Sequence, residues 1–129
     1  MDYRTDFVMS SLISSFVIAR KKTLTADQLK ETLLNDKSWL NRIVERYNYA
    51  FQSLGELLAA LTEDFGGVEG YVDFIIGIIF EKTKADFSAP IGDYYVSSVV
   101  KYNYDYYPWV AFITTYKTNE DDDLVIHGG

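Results

Sequence analysis

His127 is the only histidine in the chain, and there is no cysteine. Thiolate nucleophiles, thiolate metal sites and multi-histidine centres are therefore excluded within one chain. His127 sits close to the C-terminus and reads as a strand-end residue. The run "NEDDD" (119–123) gathers oxygen ligands of the kind a hard cation takes. It lacks the spacing and the hinge glycine of a calcium loop, so it reads as a solvated acidic turn. "GVEG" (67–70) precedes a helix-like segment, where free amides could hold an anion, but no Lys-Ser/Thr pair follows. Ser10, Ser11, Ser14 and Ser15 form a stripe with no base beside them. The expectation is no catalytic residue, no cofactor and no metal, with a small enzyme or ligand-binding protein kept as an alternative.

The largest concentration of recognition chemistry is aromatic and acidic. Tyr102, Tyr104, Tyr106, Tyr107, Trp109 and Phe112 fall within "KYNYDYYPWVAF" (101–112). Tyrosine and tryptophan give large contact area with few rotors to freeze, and they are enriched at binding hot spots. The net charge is −7. Residues 1–62 carry eight Lys/Arg against seven Asp/Glu, whereas residues 63–129 carry four against twelve. Such a half repels a phosphate backbone and attracts a basic protein surface. The expected function is a non-enzymatic acidic interaction protein. Its expected partner-binding residues are Asp105, Tyr106, Tyr107, Trp109, Glu120, Asp121, Asp122 and Asp123. A nucleic-acid-handling protein is a fitting basic partner, and a small acidic cysteine-free chain suits a phage or mobile-element inhibitor of the cytoplasm.

The alternative uses the basic residues. "LTADQLKETLLNDKSWLNRIVERY" (24–47) has a capped helix, a short break and a second helix opening Ser-Trp-Leu. It resembles a helix-turn-helix, which implies a DNA-binding regulator working through residues 36–46, with Lys37, Arg42 and Arg46 on phosphates.

The elements that must position these groups follow from periodicity. Residues 5–21 read as a helix, with Val8, Met9, Leu12, Ile13, Phe16 and Val17 on one side. Thr25 and Gln28 form a capping box for a helix to about Asn35. A long helix is expected over 38–63, since Leu40, Val44, Tyr47, Phe51, Leu54, Leu58 and Leu61 follow a 3.5-residue repeat. "FGG" (65–67) stops it, and an apolar helix is expected over 68–84, with a buried strand as the alternative because of the β-branched run "IIGII". After "SAPIGD" (88–93) the period becomes two. Strands are expected over 94–105, Trp109–Lys117 and 123–127, joined as an antiparallel meander. The fold class is thus α+β: a helical part of about four helices (5–84), then a three-stranded antiparallel β-meander (91–127), in a single domain over 1–129. The Leu40–Leu61 stripe and the 68–80 helix offer surfaces for a homodimer. No segment reads as a membrane span: the 68–80 stretch is too short and contains Glu69 and Asp73. The apolar stretch 7–19 has its basic residues behind it, the reverse of an export signal.

Overall fold

The computed structural model describes residues 13–103 and 107–128. These form five helices and a five-stranded antiparallel sheet. The class is α+β, but the order differs from helices first and a three-stranded meander last. Strand β1 (Ile13–Lys21) comes before every helix among the described residues. It is followed by α1 (Ala26–Asn35), α2 (Trp39–Arg46), α3 (Leu54–Phe65) and α4 (Val68–Lys82). Then come β2 (Ser88–Ile91), β3 (Tyr94–Ser97), β4 (Val100–Asn103), α5 (Tyr107–Thr115) and β5 (Leu124–Gly128).

The helix expected over 5–21 is corrected over its described part, since residues 13–21 are β1; residues 5–12 lie outside the described residues. β1 is the central strand. It pairs with β5 from Phe16↔Gly128 to Arg20↔Leu124 on one edge. On the other edge it pairs with both β4 (Phe16↔Val100) and β3 (Ala19↔Val96). A central strand is apolar on both faces, so "FVIA" carries no alternation to separate strand from helix. Phe16, Ile18 and Arg20 face the helices and are buried, while Val17 and Ala19 face away.

The two registers differ by one residue. Val17 and Ile18 of β1 lie opposite Ser97, Ser98 and Val99, so β3 and β4 are one strand with a β-bulge. Ser97 serves the bulge: its hydroxyl accepts from the Ile18 amide at 3.0 Å and donates to the Ser98 carbonyl at 2.8 Å. β2 pairs with β3 through a two-residue Gly92–Asp93 loop, with Gly92 at φ +56°.

Three further expectations are corrected. The segment expected as a strand from Trp109 to Lys117 is α5. Pro108 stands in its first turn, where a proline favours helix initiation. Trp109, Val110, Ala111, Phe112 and Ile113 are all buried, so neither period is visible in the sequence. The long helix expected over 38–63 is two helices. Ser53 caps α3 by accepting from the Glu56 amide, and Glu56 reaches back to the Gln52 amide at 2.8 Å. The strand expected at 123–127 exists as β5, but it pairs with β1.

The capping box of α1 is present in both directions, and α4 buries Tyr71, Val72, Ile75, Ile76 and Ile79. Helices pack against one face of the sheet. Trp109 lies edge-on to Phe16 and Tyr102, and Phe112 lies edge-on to Trp39. Leu40, Tyr47, Phe51 and Leu61 are buried in this same core, so most of the stripe offered for a homodimer is occupied within the chain. Lys30 of α1 pairs with both Glu69 and Asp73 of α4 at 3.0 Å, and the two carboxylates raise its pKa. No helix among the described residues is long and apolar enough to cross a membrane.

Candidate partner-binding face

Among the described residues, no helix packs on the second face of the sheet. Strand alternation places Val17 and Ala19 of β1 on it, next to Tyr94 and Val96 of β3. Ile91 of β2 pairs with Tyr94 and extends the apolar surface to one edge, where it is 60% exposed. Val125 and His127 of β5 extend it to the other. Together with Glu120 these residues line a shallow concavity of about 300 Å³.

The acidic turn forms the rim. Its backbone is held by its own side chains and by the sheet. The Asn119 amide donates to the Asp122 carboxylate at 2.7 Å, and the Asp122 amide to the Asn119 carbonyl at 3.1 Å. The Tyr94 hydroxyl donates to the Asp122 carbonyl at 2.8 Å, fixing the turn against the open face. Asp123 pairs with Lys21 at 3.6 Å, and the Lys21 amide donates to the Asp123 carbonyl. The four acids thus divide. Asp122 and Asp123 hold the turn in place, while the Glu120 and Asp121 side chains are exposed and make no ion pair among the described residues. Among those residues no group of three or more His, Cys, Asp or Glu could hold a metal ion.

The sheet edges are less open to a partner than its face. Pro90 leaves edge strand β2 without an amide donor at its centre. On β5 the Thr118 hydroxyl accepts from the Ile126 amide at 3.1 Å and donates to its carbonyl at 3.4 Å, occupying both groups.

The remaining residues expected to bind a partner are placed differently. Asp105 and Tyr106 lie outside the described residues, and Tyr107 opens α5. Trp109 is corrected from a surface contact to a core residue: it is 2% exposed, stacked in the aromatic cluster. The structure brings Glu120–Asp123 to Tyr94 rather than to Trp109. Of the basic alternative, Arg42 and Arg46 lie on the outer side of α2, and Lys37 is exposed in the break before it. Asp36 in that break is held below the usual carboxylate range by hydrogen bonds from Ser38, with a smaller contribution from Arg42.

The two tryptophans give a direct check on this placement. The Trp39 indole N–H donates to the Leu33 carbonyl at 2.9 Å, one of the end carbonyls α1 cannot satisfy internally. The Trp109 indole N–H is buried with no acceptor among the described residues. Trp39→Phe is expected to cost about 1–3 kcal/mol beyond the lost ring volume, because a buried carbonyl loses its donor. Trp109→Phe is expected to cost the volume alone. Urea unfolding of both variants checks this, and a larger loss at 109 than at 39 contradicts it.

Comparison of the chain with protein-family models, with curated proteins and with solved structures finds no match.

Proposed function

We propose that the protein is a non-enzymatic interaction module that takes a basic protein partner on the sheet face that no described helix covers. The observation that carries this reading is the joining of an apolar open face to an acidic rim in one place, Ile91, Tyr94 and Val96 beside Glu120. Apolar area supplies affinity at the centre, and rim charge steers and selects. A partner whose own surface evolved to hold nucleic acid has the complementary sign, and a chain of net charge −7 is a natural inhibitor of such a protein.

The test is affinity capture from the native host with the full chain and two variants. Ile91→Arg places a charge at the apolar edge, and the double change Glu120→Lys with Asp121→Lys reverses the rim. Both sites are exposed, so the fold should survive, as circular dichroism will report. The expected result is a basic protein bound by the wild type, released by rising salt, and held about tenfold more weakly or worse by each variant. Equal capture by all three proteins rejects the face. If labelled duplex DNA is shifted instead, with affinity falling steeply as salt rises, the helix-turn-helix alternative through Lys37, Arg42 and Arg46 replaces it.

A further inference from the structure

On the helical side, away from the open sheet face, α2 and the end of α5 flank a broad, solvent-open groove of about 670 Å³. Arg42 and Arg46 stand one helical turn apart on α2 and both line it. Lys117, just beyond α5, lines the opposite wall. Like charges at this spacing destabilise a helix unless something neutralises them. Among the described residues no carboxylate lies at pairing distance from Arg42, Arg46 or Lys117, the ion pairs there using Lys21 and Lys30, and Asp36 acts on Arg42 only from beyond that distance. In a chain with 19 acidic and 12 basic residues, a groove holding three cations and the single carboxylate of Glu45 runs against the overall balance.

We propose that this groove binds a small phosphorylated ligand of nucleotide size. Two guanidinium forks and an ammonium match the charge and the oxygen geometry of a phosphate group. Tyr116 lines the same wall, and its hydroxyl lies within reach of the charges of Asp122, Arg42 and Asp36. Its ring is fixed by stacking on Phe112 at 4.8 Å. Burial, with a further contribution from Asp122, raises its pKa, so at neutral pH it is a phenol able to donate. The hydroxyls of Thr114 and Thr115 are already committed to the Val110 and Ala111 carbonyls, which leaves the cations, Tyr116, Asn41 and Ser38 on the groove walls beside Glu45. Phosphate alone would fill a small part of this volume, and metabolite pockets span roughly 300–1,000 Å³. Glu45 supplies an acceptor for a hydroxyl or amine elsewhere on the ligand. The excess of negative charge on the chain as a whole disfavours a long polyanion in the same place.

The test is calorimetric titration of the full chain at constant ionic strength with inorganic phosphate, pyrophosphate and adenosine monophosphate, with sodium chloride as the screening control. Saturable binding of the monophosphate, tighter than that of inorganic phosphate, is expected. Arg42→Gln and Arg46→Gln should each weaken it about tenfold or more, and Lys82→Gln, outside the groove, should leave it unchanged. Tyr116→Phe separates the phenol from its ring and should weaken binding several-fold without altering the fold. The proposal is overturned if no saturable heat develops up to roughly 10 mM ligand, or if chloride reproduces the effect. It also fails if the arginine variants lower the melting temperature while leaving phosphate affinity intact. That last result would make the role of Arg42 and Arg46 structural.

Discussion

Replacing Arg20 with methionine is expected to destabilise the fold by about 3 kcal/mol, and replacing it with lysine is expected to recover less than half of that loss. Arg20 points from the central strand into the helical layer and is 8% exposed. Its Nε donates to the Thr83 hydroxyl at 2.9 Å, Nη2 to the Thr83 carbonyl at 3.1 Å and Nη1 to the Leu24 carbonyl at 3.3 Å. The guanidinium lies 4.4 Å from the Phe80 ring centre and 5.4 Å from that of Tyr95. No carboxylate pairs with it among the described residues. Burial pushes its pKa down and Tyr95 opposes the shift, yet an arginine remains charged at neutral pH. Its charge is therefore met by carbonyls, by ring faces and by the negative end of α4, which closes at Thr83.

The sign of the effect depends on two opposing terms. Methionine removes the cost of burying a cation, and that gain favours the variant. Against it, the Leu24 carbonyl loses its charged donor and Thr83 loses two. The Thr83 hydroxyl keeps its own bond to Ile79, and the Thr83 carbonyl keeps a long one from Ser88. Bonds to a charged group contribute about 1.5–3 kcal/mol each, and three of them outweigh the desolvation of one delocalised cation. Lysine keeps the charge but is a single point, unable to reach Thr83 and Leu24 together. Its failure to rescue distinguishes a requirement for the fork from a requirement for charge. Urea unfolding followed by the fluorescence of the two buried tryptophans gives the measurement. An Arg20→Met variant within about 0.5 kcal/mol of wild type would show that Arg20 is only filling space.

The parts of this fold that could be read from sequence are those whose signals are local. The Thr25–Gln28 box fixes the start of α1 with four residues, and the helical spacing of Val68, Tyr71, Val72, Ile75, Ile76 and Ile79 favours the helix that α4 forms over the strand its β-branched run also allows. β1 and α5 are illegible for the opposite reason. β1 is apolar on both faces, one in the core and one on the open face, and α5 is buried nearly all round, so in each the period vanishes. Ser53 and Glu56 did carry a start signal for α3. The heptad spacing running through them reads as one long helix, because spacing alone does not register a break.

The candidate face was hidden by a subtler feature. Period-two alternation from Tyr94 to Tyr104 assigns Tyr94, Val96, Val100 and Tyr102 to one face. The bulge at Ser97–Val99 adds one residue and reverses the assignment midway. Tyr94 and Val96 consequently look out from the open face, while Val100 and Tyr102 look into the core. The acidic rim is legible as charge, but its alliance with Tyr94 rests on a register shift that no local pattern announces.

Two glycines of α4 are expected to respond to alanine with opposite signs, although both are helical. Alanine normally stabilises a helix over glycine by about 1 kcal/mol. A Cβ on Gly77 would meet nothing within 4 Å, so Gly77→Ala should gain most of that amount. A Cβ on Gly70 would overlap the carbonyl oxygen of Phe65, the last residue of α3. That carbonyl cannot swing aside cheaply. Gly66 at φ +78° and Gly67 at φ +132° close α3, donating to the Thr62 and Leu61 carbonyls at 3.0 and 3.2 Å. Phe65 is also held by its ring, 5.2 Å from Tyr71 and 5.1 Å from Phe74. Making room for one methyl therefore means opening the α3–α4 corner and lifting Phe65 off Tyr71, which is 1% exposed. Overpacking of this kind costs about 1–3 kcal/mol, more than the helical propensity returns, and a net loss of roughly 1–2 kcal/mol is expected for Gly70→Ala. The two variants sit in one helix and differ by the same methyl, so unfolding midpoints moving in the same direction would refute the close approach of α3 to α4.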